Sequence, residues 1–109
     1  MILRFREIDR DGFNDIKTGK KKIETRAATK KYVGIKAGDT VKIVCGKDSI
    51  EKKVKKVTIF KSIPDMLKKY KPNKINSKTK TKEELEKMYH SFPDYQEKIK
   101  KHGIIAMEL

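Results

Sequence analysis

Hydrophobic and polar residues alternate along several short stretches of the chain, and this period of two is typical of β-strands. Residues 2–8 form the first predicted strand. In residues 21–27, Ile23 and Thr25 fall on one face of a second strand. The other face of that strand carries three charged side chains: Lys22, Glu24 and Arg26. This pattern predicts a half-buried strand or a strand that lines a cleft.

Further strands are predicted in the middle and at the end of the chain. Residues 40–45 alternate between polar and apolar side chains, directly after a glycine-containing turn at residues 34–39. A tight hairpin turn is predicted at residues 46–49. The remaining predicted strands are residues 50–60 and residues 104–109.

The long predicted strand changes its hydrophobic phase partway along. Ile50 and Val54 occupy even positions, whereas Val57 and Ile59 occupy odd positions. A bulge or bend near residues 55–56 would restore a single apolar face, and such bends curl small sheets into barrels.

Capping residues mark the starts of helices. Asp9 or Asp11 can cap a short helix with Phe13 and Ile16 on one face, which Gly19 ends. Ser62 caps a second helix that has a proline in its first turn. Residues 81–84 form a capping box for a third helix, which ends before a proline at position 93. Its candidate core residues are Leu85, Met88 and Tyr89.

Two polar or aromatic stretches receive simpler interpretations. Residues 71–80 are basic, contain a Pro-Asn pair, and are predicted to form a mobile loop. Phe92 and Tyr95, beside the proline, are expected to be structural. The whole pattern predicts an α+β fold, with about five or six mostly antiparallel strands in a small barrel and two to four short helices.

Length and composition set further limits. The chain has 109 residues, which is the size of one domain, predicted here to span residues 1–109. It has no apolar run of membrane-spanning length and its first residues do not resemble a secretory signal, so we expect a cytoplasmic protein with no membrane partner. Its single cysteine, Cys45, excludes an internal disulfide and is predicted to be buried. Two histidines, His90 and His102, suggest no metal site, and no cofactor is predicted.

The charge is strongly positive and unevenly distributed. The chain carries 29 basic and 15 acidic side chains, a formal net charge of +14. Residues 16–38 hold eight basic residues and one acid, and residues 66–82 hold seven lysines and no acid. A basic face made from both segments would suit a polyanion such as RNA or DNA, although lysine runs are also found on purely solvated faces. Lysine dominance favours contacts to phosphate over base reading.

One short segment holds the strongest candidate chemistry. Lys21, Glu24 and Arg26 lie close together on or beside the second strand, where they could bind a polar ligand or remain a solvated face. Lys21 could also act as an amine whose pKa is lowered by burial. Three tyrosines could stack on nucleic-acid bases or pack at the edge of the core: Tyr32, Tyr70 and Tyr89.

The octet from Gly19 to Arg26 resembles the Gly-x-Lys-x-x-Glu-x-Arg signature of the ASCH domain family, within the PUA-like superfamily. The similarity continues in order through residues 35–39, residues 59–62 and the closing segment 103–108. It implies a PUA-like β-barrel with the signature residues in a cleft, in a family proposed to bind RNA or other nucleic acid.

One enzymatic branch of that family resembles this chain in size and hydrolyses the amide of N4-acetylcytidine with a lysine, a threonine and a glutamate. The lysine matches Lys21, whereas the position of the threonine holds Glu24. Residues 66–82, where that branch has its glutamate, contain no acid here. In this alternative, Lys21 and Glu24 are the catalytic residues, and Glu24 moves the proton.

The main hypothesis is therefore an RNA-binding or other nucleic-acid-binding protein, acting as a monomer. The alternatives are a nucleoside amidohydrolase and a module that binds a protein or a small anion. The predicted binding residues are Gly19, Lys20, Lys21, Lys22, Glu24, Arg26, Lys30, Lys31, Tyr32, Lys68, Lys71 and Lys74.

Overall fold

The computed structural model describes residues 1–109 and has an α+β fold, as predicted. It has six strands and five α-helices, with one 3-10 turn at Glu7–Asp9. In chain order they are β1 (Ile2–Phe5), α1 (Arg10–Thr18), β2 (Ile23–Ala27), β3 (Thr40–Cys45), β4 (Asp48–Lys53), β5 (Lys56–Phe60), α2 (Ile63–Leu67), α3 (Pro72–Ile75), α4 (Lys82–His90), α5 (Tyr95–His102) and β6 (Ile104–Glu108).

The strands pair into two sheets of three instead of one closed barrel. One sheet has the order β1-β3-β4, in which β1 is parallel to β3 and β3 is antiparallel to β4. The other has the order β2-β6-β5, with both pairs antiparallel. The expectation of mostly antiparallel strands is confirmed, and the closed barrel is replaced by two small sheets.

The predicted long strand at residues 50–60 is divided between these sheets. β4 ends at Lys53 and β5 begins at Lys56, so the phase change marks a crossing from one sheet to the other. Val54 lies buried at the crossing, and its N–H and C=O bond to backbone groups of residues 38–39. The predicted position of the bend is correct, but the chain leaves its sheet there instead of curling within it.

The strand β6 connects two hydrophobic clusters. Its alternating side chains point to opposite faces, so Ile104 and Ala106 pack in one cluster and Met107 in the other. The first cluster includes helix residues such as Leu85 and Tyr89, and the second includes Phe13 of α1. Because β6 is buried on both faces, its sequence is continuously apolar over residues 104–107.

Several predicted boundaries change. The first strand stops at Phe5 because the chain turns into the 3-10 turn, which is followed at once by α1. The predicted loop at residues 71–80 contains α3, and it buries Ile75 in the core and Thr79 beside it. The structure has five helices instead of the expected two to four. The helix α5 was not predicted, because Ile99 is its only fully buried residue. The helix starts at Ser62 and Thr81, the end at Gly19 and the burial of Cys45 are confirmed.

None of the helices combines the length and apolarity needed to cross a lipid bilayer.

Candidate nucleotide-binding cavity

A cavity of about 420 Å³ opens beside β2. Its walls come from the end of β1, the first turns of α1, residues 75–78 after α3, and the connection between α4 and α5. Residues distant in the sequence therefore converge on the strand that carries the predicted charged face. A volume of this size falls within the range of about 300–1,000 Å³ that is typical of small-molecule sites.

Glu24 is the centre of a buried ion cluster on the cavity wall. It is only 4% exposed, and its Oε1 accepts a hydrogen bond from Lys21 Nζ at 3.1 Å. The same oxygen accepts the backbone N–H of Thr25 at 3.0 Å, and Oε2 accepts Arg26 Nη2 at 2.9 Å. We call Lys21, Glu24 and Arg26 the triad. Two cations and one anion give it a net charge of +1.

The protonation of the triad follows from these contacts. Burial alone would raise the pKa of Glu24, but the charges of Lys21 and Arg26 and the hydrogen bonds from Lys21 and the Thr25 N–H outweigh it and lower the pKa. Burial opposes the charge of Arg26, yet the Glu24 carboxylate raises its pKa. Glu24 and Arg26 are therefore ionised at neutral pH, and Glu24 is a weak base.

Arg26 is held in place from several sides. Its Nη1 donates to the carbonyl oxygen of Arg4 at 3.1 Å. Its Cζ lies 5.0 Å from the ring centre of Phe5 and 6.0 Å from that of Tyr32, which is half-buried. Such cation–π contacts orient the guanidinium without using its remaining N–H donors. Tyr32 thus serves as a packing partner of Arg26.

Aromatic rings form a second part of the wall, beside β2. Tyr89 and Tyr95 lie parallel with their centres 6.2 Å apart, and Phe92 meets Tyr95 edge-on at 5.3 Å. Arg6 covers the Phe92 ring at 5.1 Å. The hydroxyls of Thr25 and Tyr89 are hydrogen-bonded, and burial raises the pKa of Tyr89, so its hydroxyl keeps its proton. The cavity is therefore lined by aromatic side chains as well as by hydrogen-bond donors.

The segment after α3, residues 76–78, lines the cavity and is bonded to α1. Ser77 donates to Asp15 Oδ2 at 2.8 Å, and Lys78 is paired with Asp11. Both carboxylates belong to α1 and line the cavity. Lys78, from the basic segment 66–82, therefore lines the cavity, but its charge is already paired with Asp11.

The other predicted binding residues lie outside the cavity wall. Gly19 ends α1 directly before the triad. The side chains of Lys20, Lys22, Lys30 and Lys31 are exposed. Lys68, Lys71 and Lys74 are exposed as well, and Lys68 lies 3.5 Å from Asp65. Tyr70 is buried and donates to Glu108 Oε2 at 2.5 Å, so its hydroxyl is already engaged. The contacts to phosphate predicted for these lysines remain predictions.

Most residues of the cavity wall could not be identified from the sequence, among them Phe5, Thr25, Phe92 and Tyr95. Phe92 and Tyr95 were expected to be structural, and they do pack against Tyr89, but they also face the cavity. The sequence contains one sign that these residues could form part of a site, which is that Phe92 and Tyr95 lie close together after the predicted end of the third helix. Within residues 1–109, no group of three or more His, Cys, Asp or Glu side chains is arranged to hold a metal ion.

Comparison with known proteins gives relatives but no activity. No protein-family model and no curated protein matches the chain. The crystal structure of the hypothetical protein PH0355 is 34% identical, covers 99% of this chain and 96% of its own, and superposes with a TM-score of 0.82. The solution structure of protein PF0455 from Pyrococcus furiosus is 32% identical, covers 99% and 94%, and has a TM-score of 0.75. The chain therefore belongs to the same protein family as PH0355 and PF0455.

Proposed function

We propose that this protein binds RNA and that its cavity receives one nucleotide of the strand. The observation that carries the proposal is a single cavity of about 420 Å³ that is lined both by the positively charged triad and by aromatic residues. A nucleotide has the matching chemistry, because its base is a flat aromatic ring and its phosphate and carbonyl groups accept hydrogen bonds.

The donors on the triad support this choice of ligand. Lys21 uses one of its three N–H donors on Glu24, and Arg26 keeps donors beyond those given to Glu24 and Arg4. Glu24 has little accepting capacity left, since it already receives three hydrogen bonds. The unused hydrogen-bonding groups of the triad are therefore mostly donors, which at this part of the cavity favours a phosphate or carbonyl oxygen over an amine.

We also propose that the chain is an ASCH protein with a PUA-like fold. Support comes from the position of the signature residues: Gly19 directly precedes the segment that carries the triad, and Lys21, Glu24 and Arg26 line one cavity. The two small sheets joined through buried β6 are compatible with an opened form of the barrel that the resemblance implies.

Binding to a labelled single-stranded RNA, followed by fluorescence anisotropy across a salt series, tests the function. We expect log K to fall with log salt by about 0.7 for each phosphate contacted. Lys21→Ala should weaken binding about tenfold to a hundredfold, because it removes a charge-assisted hydrogen bond. Lys47→Gln, in the exposed β3–β4 turn, is the matched control and should bind like the wild type. Undetectable or salt-insensitive binding would refute the proposal.

A second candidate is hydrolysis of an acylated nucleoside such as N4-acetylcytidine. It is favoured by the Lys21 amine, which lies 3.1 Å from the Glu24 carboxylate inside a cavity of nucleoside size. The low pKa of Glu24 weighs against it as the group that moves the proton. If the protein is an enzyme, chromatography should detect deacetylated nucleoside with wild type and Lys47→Gln but not with Lys21→Ala. Absence of product with wild type would remove this candidate.

A further inference from the structure

A second concave surface of about 340 Å³ lies at the other end of α5. Lys100, Lys101 and His102 reach it from the last turn of that helix, and Lys61 reaches it from the turn after β5. Its apolar part includes Ile59, which is 52% exposed. We call this surface the groove. None of its residues was among those predicted to bind a ligand.

The groove is positively charged and lacks counterions. No acidic residue lines it, and none of its basic side chains forms an ion pair within residues 1–109. Lysines in the last turn of a helix commonly offset its dipole, which would account for Lys100 and Lys101 alone. Lys61 belongs to a different element and still converges on the same surface. This convergence suits a multivalent anion.

The helix α5 sets the distance between the groove and the cavity. Tyr95 in its first turn lines the cavity, and His102 at its end lines the groove. At a rise of about 1.5 Å per residue, the seven steps between them span about 11 Å, which is about three nucleotides at the roughly 3.4 Å spacing of a stacked strand. The sheet gives a similar distance. Ala27 of β2 and Phe60 of β5 both pair with Ile104 of β6, so they are separated by two strand spacings of about 4.8 Å each.

We propose that the groove binds the phosphate backbone of the same RNA strand about three nucleotides away from the one in the cavity. This inference rests on the proposed RNA binding. It adds Lys61, Lys100 and Lys101 to the backbone contacts that the sequence predicts at Lys68, Lys71 and Lys74. Lysine suits that role, because an ammonium pairs with phosphate as a point charge without reading the base.

The test compares ligands of increasing length: a nucleoside monophosphate, a dinucleotide and a longer single-stranded RNA. The variant Lys61→Gln/Lys100→Gln/Lys101→Gln should bind the long RNA about tenfold or more weakly, and its salt slope should be shallower by about 0.7 per lost contact. Its affinity for the monophosphate should be unchanged. The matched control, Lys42→Gln/Lys47→Gln/Lys53→Gln, removes three exposed charges from the other sheet and its hairpin turn, and should retain most of the affinity.

Each remaining outcome has one meaning. Equal loss in the groove variant and the control would overturn the proposal, because general electrostatics would then explain the effect. A long RNA that binds wild type no more tightly than the monophosphate would overturn it while leaving the cavity proposal intact. If Lys21→Ala binds long RNA normally and the groove variant does not, the groove binds RNA by itself, and both the cavity proposal and the spacing of about three nucleotides are overturned. No RNA binding by wild type would refute both.

Discussion

Replacing Glu24 with glutamine is expected to lower the free energy of unfolding by about 3–5 kcal/mol at neutral pH. The side chain keeps its shape, but the charges of Lys21 and Arg26 lose their shared counterion in a setting where their side chains are only 10% and 15% exposed. A buried charge left without a partner is costly, even where the intact ion cluster contributes little net stability.

The pH dependence of this effect has a definite sign. Because the pKa of Glu24 is lowered below its ordinary value of 4.5 in the folded protein, its contribution is fully present above pH 4.5 and is lost as the pH falls through the folded pKa. The stability difference between wild type and Glu24→Gln should therefore narrow in acid. Urea unfolding followed by circular dichroism at neutral and acidic pH measures it.

Two variants separate this cause from a general effect of mutation. Glu51→Gln alters an exposed carboxylate on β4 that has no ion pair, and should change stability by less than about 0.5 kcal/mol. The triple variant Lys21→Met/Glu24→Leu/Arg26→Met removes all three charges and should be more stable than Glu24→Gln while losing RNA binding. A Glu24→Gln protein as stable as Glu51→Gln would contradict the ion-cluster argument.

Gly103→Ala is expected to be the most disruptive single-methyl change in the chain. Gly103 has φ +82°, and a Cβ there would lie 2.3 Å from the carbonyl oxygen of Phe60. The strained backbone conformation should lower the free energy of unfolding by about 1–3 kcal/mol, and the displacement of β5 should lower it by about 1–3 kcal/mol more. The loss matters for both proposed sites, because Gly103 joins α5 to β6 and its C=O accepts the N–H of Ala28 just after β2.

Substitutions at two other glycines separate the cost of the backbone conformation from the cost of the steric clash. Gly34 lacks a positive φ, and a Cβ added there would meet no heavy atom within 4 Å, so Gly34→Ala should be neutral or stabilising by up to about 1 kcal/mol. Gly38 has φ +96° and the same open space, so Gly38→Ala should show the backbone cost alone. Thermal or urea unfolding should rank the losses as Gly103, Gly38, Gly34. If Gly103→Ala and Gly38→Ala lowered the free energy of unfolding equally, the clash with the Phe60 carbonyl oxygen would contribute nothing to the loss.

Local signals explain which parts of the fold could be predicted. The caps at Ser62 and Thr81 each bond to an N–H three residues later, so the signal and the structure that it specifies lie within one turn. The phase change between Val54 and Val57 correctly located a break in the strand. It could not show that β4 and β5 join different sheets, because pairing with β3 or β6 depends on distant segments.

The candidate site divides in the same way. The spacing of Lys21, Glu24 and Arg26 was visible in the sequence because all three belong to one short segment. The wall made by Tyr89, Phe92 and Tyr95 depends on the docking of α4 and α5 beside β2. Ile99 is the only fully buried residue of α5, and this apolar pattern was too weak to predict the helix.

The α+β class, most strand and helix starts, the burial of Cys45 and the charged segment that holds the triad could be read from the sequence, because these depend on periodicity, caps and near neighbours. The folded structure was needed to show that two sheets form in place of one barrel, that aromatic residues line the same cavity as the triad, and that Lys61 lines one groove with Lys100 and Lys101. The reason is physical: these arrangements arise from the packing of segments far apart in the chain, and no local pattern specifies which buried faces will meet.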